Sequence, residues 1–326
     1  MTSTPSIRSS IHGCLLGLAT AEAVSLAHAG SADSGTERGA DDGGLRLGAD
    51  GQLALYTADA LVQVLEWANE GVYADQAATL WLAELRWAVG QGVTLPSSAP
   101  PAPPRWIDAE ESVARPLPVR PAWVASLASG EMGTAARPRG PEFDDAAAAA
   151  RTAPLGLVPG TPSSAVLTMA VDSATLTHGH PDAVQASVAV AHAVHATLTG
   201  SRLAGAIDEA RAAVSGLRSP EQDIVQALAT GSSEKLRSGA GPAALSLAGA
   251  VRAALSAGPE GDSAAFGESV RRASEVSVDA AAITGALLGT AWGHESIPAE
   301  WTARLEGADV VARVAKMLAD SAGAPD

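Results

Sequence analysis

The chain has 326 residues, 47% of them hydrophobic, a formal net charge of -15, and only 7 Trp, 2 Tyr and 2 Phe. Neutralising a phosphate backbone takes clustered Lys and Arg, and the 21 basic residues form no dense run, which excludes a general nucleic-acid binder. The core has to come from Ala, Leu and Val; Ala loses no side-chain entropy in a helix and lets backbones approach, so an all-α fold is expected.

Residues 7 to 29 read as a helix with Gly13, Gly17 and Ala21 on one side. Arg8, the apolar run from Cys14 to Ala19 and Ala27-His28-Ala29 imitate a signal peptide. Glu22 argues against that reading, because a carboxylate is costly to insert in a membrane. No window reaches the roughly 18 uncharged apolar residues of a span. A cytoplasmic protein is expected, and Cys14, the single cysteine, reads as a small core residue in a reducing compartment.

A polar, glycine-rich loop follows from Gly30 to Gly51, carrying Asp33, Glu37, Asp41, Asp42 and Asp50. Helices are predicted at about 53–69 and 74–89, closed by Gly71 and Gly90. Between 96 and 141 the helical period is lost. This stretch holds ten of the 20 prolines (Pro96, Pro100, Pro101, Pro103, Pro104, Pro116, Pro118, Pro121, Pro138, Pro141). It reads as an extended surface excursion, docked through Trp106, Ile107, Trp123, Val124 and Leu127; Trp106 and Trp123 either touch a ligand or, the reading we take, anchor the segment. Helices resume at about 143–151, 163–175, 182–199, 202–215, 220–230, 242–257, 263–273, 279–293 and 307–321. With no internal repeat, one domain over 1–326 is expected, with the excursion at about 95–142.

Five patterns stand in order along the chain. They are His12-Gly13-Cys14-Leu15-Leu16-Gly17 running on to Ala21-Glu22-Ala23; Thr57-Ala58-Asp59-Ala60; Arg151-Thr152-Ala153-Pro154-Leu155-Gly156-Leu157; Thr177-His178-Gly179-His180-Pro181-Asp182; and Gly285-Ala286-Leu287-Leu288-Gly289, followed by Ile297-Pro298-Ala299-Glu300-Trp301. Each is common alone. In this order and spacing they resemble the ADP-ribosylglycohydrolase family, outside about 95–142. The resemblance implies an all-helical domain with two magnesium ions at the bottom of a cleft. There the ions hold the substrate's ribose and orient the water that hydrolyses the bond between ADP-ribose and its acceptor.

The resemblance also shows what this chain lacks. The family draws metal ligands from a Thr-Asp-Asp-Thr run and from an Asp-x-Asp-Thr run before the later Gly-x-x-x-Gly helix. Here those runs read Thr57-Ala58-Asp59-Ala60 and Val276-Ser277-Val278-Asp279, leaving Thr57, Asp59 and Asp279 as remnant metal positions. Glu22 replaces the Asp of the family's Gly-Asp-Ala, and Ala146 to Ala150 lack the side chains usual before the arginine motif. Magnesium demands about six oxygens in near-octahedral array, and two ions carry more charge than these acids balance. No cofactor is therefore expected, or at most one weak divalent ion.

The expected site residues are Glu22, Asp59, Asp279 and His180 as acid–base groups, and Thr57, His178, Gly179 and Arg151 as substrate contacts. Structural readings stay open beside them. Asp59 fits a helix's early turns, Asp279 fits an N-cap, the reading we take, Arg151 fits a buried arginine, and the loop before Pro181 fits exposed imidazoles. His192 and His195 leave a metal edge and a solvated helix face open, and we read the face. No phosphate-binding loop, strand-linked Gly-x-Gly-x-x-Gly or nucleophile elbow occurs.

Three functions follow as expectations. The first is a pseudoenzyme or binding protein that keeps the cleft for an ADP-ribosyl or nucleotide-like molecule. The second is an enzyme repurposed to metal-independent chemistry, with Val276 and Val278 drying its pocket. The third is an active hydrolase drawing acids from elsewhere, with Asp41-Asp42 as the reserve. No nucleic-acid or membrane partner is expected, and nothing in the chain fixes an oligomer.

Overall fold

The computed structural model describes residues 5–34, 44–230, 236, 238–258 and 261–325; Asp41 and Asp42 lie outside them. In chain order the helices are α1 (Ile7–Ser34), α2 (Ala49–Asn69), α3 (Gln76–Gly90), α4 (Glu111–Ala114), α5 (Ala147–Thr152), α6 (Ser163–Ala174) and α7 (Pro181–Leu198). Then come α8 (Leu203–Ser215), α9 (Gln222–Thr230), α10 (Pro242–Ser256), α11 (Ser263–Ser274), α12 (Val278–Trp292), α13 (Ala299–Arg304) and α14 (Ala308–Ser321). The fold is all-α, and among the described residues the only β-type pairings are the isolated bridges Leu45–Leu305 and Thr134–Arg137.

Local chemistry sets most boundaries. Asp75 accepts from the Ala78 amide at the start of α3, and Asp262 from Ala265 at α11. Ser277 accepts from Ala280 at α12. Asp279, read from sequence as that helix's cap, instead stands inside the first turn, one residue beyond Val278. This corrects its expected role: the hydroxyl two residues upstream takes the amide and leaves the carboxylate to point elsewhere.

The centre of the molecule is a pair of antiparallel helices in backbone contact. Stretch Ile7–Ala29 of α1 is long and apolar enough to cross a membrane, and 83% of its most apolar window is buried inside the fold. A Cβ built on Gly13 would lie 2.1 Å from the carbonyl oxygen of Gly289, and one on Gly17 would lie 2.2 Å from that of Gly285. The two Gly-x-x-x-Gly patterns thus face each other, each the only residue small enough for its partner's approach. Running on from this crossing, α1 delivers Glu22 and the start of α12 delivers Asp279 to one end of the pair.

The proline-rich excursion docks as expected. Ile107, Trp123, Val124 and Leu127 are buried, and Trp123 stacks on Trp87 of α3 at 5.7 Å between centroids. Its return leg runs against the turn after α6, where the Arg139 amide donates to Thr175 and the Gly179 amide donates to Gly140. Gly140 has φ +56, and a Cβ there would lie 2.1 Å from the Thr177 carbonyl oxygen.

A second correction concerns His192 and His195. Both are buried beneath the turn that follows α5, with His192 Nε2 3.1 Å from the Ser163 carbonyl oxygen and His195 Nδ1 3.2 Å from that of Gly156. The face read as solvated is covered because Gly156 presents no side chain: a Cβ there would meet the Ala191 carbonyl oxygen at 2.4 Å.

Candidate functional site

A cavity of about 1500 Å³ opens beside the end of the α1–α12 pair. Glu22, Asp50, Asp145 and Asp279 form its acidic floor, while Leu47, Trp123, Phe143 and Trp301 contribute walls. The four acids come from α1, the first turn of α2, the segment before α5 and the first turn of α12, so only the assembled fold brings them together.

Glu22 is 2% exposed and is spent on the helix that follows it. Its Oε2 accepts from the amides of Gly48 (3.0 Å) and Gly51 (2.9 Å), and its Oε1 from that of Asp50 (2.8 Å). These are the orphan donors of the α2 N-terminus, satisfied by a side chain from another helix. Gly48 and Gly51 make the room, since a Cβ at either would come within 2.5 Å of a carboxylate oxygen. Burial outweighs the three amides and pushes Glu22 up to about 7.

Asp279 accepts from the Ala146 amide at 3.1 Å and also from the Asp50 carboxyl group. Burial, then the nearby charge of Asp145, raise Asp279 to about 6. Asp50 is raised well above its ordinary range, first by burial and then by the charges of Asp279, Glu22 and Asp145. The two therefore share a proton, with Asp50 as donor, because two carboxylates in a dry site cannot both ionise.

Asp145 behaves in the opposite way. Burial pushes it upward, but the hydrogen bond from His178, the Ala147 amide and the Arg151 charge outweigh this and hold it below the usual carboxylate range. The donor, His178 Nε2, lies 2.9 Å away. The Asp145 carboxylate can only accept, so in the neutral ring Nε2 donates to it and Nδ1 accepts from the Thr177 hydroxyl at 2.8 Å, which in turn accepts from Arg151. The imidazole is left with its proton on Nε2, facing Asp145. Burial first of all lowers the His178 pKa and keeps the ring neutral.

Residues 3–326 match the family profile described as ADP-ribosylglycohydrolase. The chain belongs to the ADP-ribosylglycohydrolase family. A solved structure described as an ADP-ribosylglycohydrolase-related protein complex superposes with a TM-score of 0.62 at 20% identity, covering 97% of this chain and 99% of that one. At that identity the likeness speaks for the fold. No curated protein matches the sequence.

Within this family member the residues expected from sequence divide sharply. Glu22 and Asp279 line the cavity; Asp59, Thr57, Arg151, His178, Gly179 and His180 do not. Asp59 has a fully buried side chain and accepts from Arg105 Nε (2.5 Å), Arg105 Nη2 (2.9 Å) and Trp106 Nε1 (3.0 Å), with Arg86 at 3.7 Å. It is the anchor of the proline-rich excursion and sits deep in α2, because that helix begins at Ala49 rather than near 53. Thr57 is buried in the same helix.

Arg151 is wholly enclosed, paired with Glu84 Oε1 at 3.3 Å and lying 5.4 Å from the Trp123 ring centroid. It reaches the cavity through Thr177 and His178 and through its charge, which favours the ionised forms of Asp50 and Asp145. Gly179 packs against Pro138, which a Cβ would meet at 2.8 Å. His180 caps α7, its Nδ1 accepting from the Asp182 amide at 3.2 Å. Trp106 is an anchor, with Arg313 stacked 3.8 Å from its ring centroid, whereas Trp123 both anchors and lines the cavity.

Two floor residues, Asp50 and Asp145, were not singled out as site residues from sequence. A Gly48-x-Asp50-Gly51 turn opening a helix, and an acid pair Asp144-Asp145 directly before the helix that carries Arg151, are the signals that point to them. Among the described residues no group of three or more His, Cys, Asp or Glu side chains is arranged to hold a metal ion.

Proposed function

We propose that this ADP-ribosylglycohydrolase-family protein binds an ADP-ribosyl or nucleotide-like small molecule in its cavity without a pair of magnesium ions, as a binding protein rather than a metal-dependent hydrolase. One observation carries the reading. Most of the floor's carboxylate groups are already engaged: Glu22 takes three amides, Asp279 takes an amide and the Asp50 proton, and Asp145 takes His178 and the Ala147 amide on Oδ1.

The donor set does not fit two neighbouring magnesium ions. Each ion needs near-octahedral oxygens and loses water reluctantly, whereas the residues leading into the one acid at the start of α12 are Val276-Ser277-Val278. Dragging Glu22 to a metal would also strip the α2 N-terminus of its acceptor. Without metal charge to stabilise the transition state, binding outlasts hydrolysis.

A second reading has its own support: metal-independent acid–base chemistry in the same cavity. Environments that push neighbouring carboxyls apart assign acid and base roles, and Asp145 is held low while Asp50 and Asp279 are raised. Incubation with ADP-ribosylated arginine and serine peptides, with and without chelator, separates the readings. The binding protein releases no ADP-ribose; the repurposed enzyme turns over a substrate in chelator; release that requires magnesium contradicts both.

A further inference from the structure

The mouth of the cavity carries a charge arrangement that the floor chemistry does not use. Arg46, on the segment leading into α2, and Arg115, just past α4, reach the same carboxylate from different parts of the chain. Arg46 Nε lies 3.1 Å from Glu306 Oε1, and Arg115 Nη1 lies 2.8 Å from Glu306 Oε2. All three line the cavity.

Each guanidinium therefore takes one oxygen of a single planar anion. Glu306 is placed for this by a backbone splice in which the Leu45 amide donates to Arg304 and the Glu306 amide donates to Leu45, both at 2.8 Å. Among the described residues Arg115 also meets Glu111, at 3.8 Å and with the Glu111 side chain 89% exposed, and Arg304 lines the same cavity.

We propose that Arg46 and Arg115 form a phosphoryl-binding clamp at the cavity mouth, occupied by Glu306 as an internal stand-in until an anionic ligand displaces it. The ligand group has to be more highly charged than a carboxylate. It competes against an acceptor tethered beside the clamp at high effective concentration, and a phosphoryl group brings about -1.5 to -2 charge with three acceptor oxygens, against one charge and two oxygens. Arginine pairs are suited to it, since the planar fork matches phosphate geometry. Displacement releases the Glu306 side chain from both arginines, while the backbone splice to Leu45 keeps residue 306 beside the clamp.

The clamp rests on the cavity being a ligand site, but inorganic pyrophosphate tests the mouth alone. Titrated calorimetrically, Glu306→Gln binds pyrophosphate at least tenfold more tightly than the unaltered protein. Adding Arg46→Gln and Arg115→Gln to that variant abolishes saturable binding. Glu306→Asp, which draws the carboxylate back by one methylene, gives an intermediate affinity and covers the case in which Glu306→Gln does not fold. Equal affinity in all forms, or binding that survives loss of both arginines, overturns the clamp. Pyrophosphate uptake with no ADP-ribose uptake sinks the cavity reading and leaves the clamp standing. ADP-ribose uptake indifferent to both arginines sinks the clamp alone.

Discussion

Gly17 and Gly285 stand so close that a Cβ on either would lie within 2.2 Å of the other's carbonyl oxygen. The contact is backbone on backbone, with no flexible side chain to yield. It also sets the separation of the two helix ends that carry Glu22 and Asp279. Gly17→Ala or Gly285→Ala is expected to cost about 3 kcal/mol or more, the upper end of ordinary overpacking. Denaturant unfolding measures it; a loss below about 1 kcal/mol contradicts this picture of the crossing.

Asp59→Ala separates anchor from site. It removes the carboxylate on which Arg105 and Arg86 converge; Arg86 keeps Asp108 at 3.2 Å, but Arg105 is left with Glu66 at 3.9 Å, so the cost is expected near the lower end of the about 3–5 kcal/mol typical of a broken buried pair. The variant melts earlier, yet under conditions where it is folded its affinity for ADP-ribose is unchanged. A selective loss of binding at unchanged stability would return Asp59 to the cavity.

The floor makes stability depend on pH with a definite sign. Glu22 is raised from 4.5 to about 7 and Asp279 from 3.8 to about 6 in the folded state. The folded form therefore holds more protons than the unfolded form between about pH 4 and 7. The stability these groups contribute is complete below their unfolded pKa values and is lost as pH rises through 6 and 7. Thermal midpoints across this window are expected to fall less with rising pH in Asp279→Asn than in the unaltered protein. Identical slopes rule the shared proton out.

Thr177→Val cuts the chain from Arg151 to His178. Without the hydroxyl at Nδ1 the imidazole hydrogen-bonds to Asp145 alone, and Asp145 loses its steady donor. Carbon-detected NMR titration should show the Asp145 carboxyl moving up toward its ordinary value of about 3.9. No movement means His178 does not set its charge.

Most of the helices are legible in the sequence because their apolar periods are regular and glycines such as Gly71 stand just past their ends. The start of α2 is not, for a physical reason. Its cap is the carboxylate of Glu22, 26 to 29 residues upstream of the amides it accepts from, and a pattern read locally places the start near 53. The family-like Thr57-Ala58-Asp59 lies two turns further along the helix and faces the proline-rich excursion, whereas Asp50, in the true first turn, faces the cavity. The facing of Gly13 on Gly289 was visible only as two motifs. The partner of Asp59 lay hidden in a proline-rich stretch whose spacing gives no sign that Arg105 turns inward.

Calorimetric titration of magnesium, followed by ADP-ribose in the presence and absence of chelator, bears most directly on a metal-free ligand cavity. The account predicts no saturable magnesium binding at sub-millimolar levels and ADP-ribose binding that chelator leaves intact. Two magnesium ions taken up at sub-millimolar levels, with ADP-ribose binding lost in chelator, would contradict it.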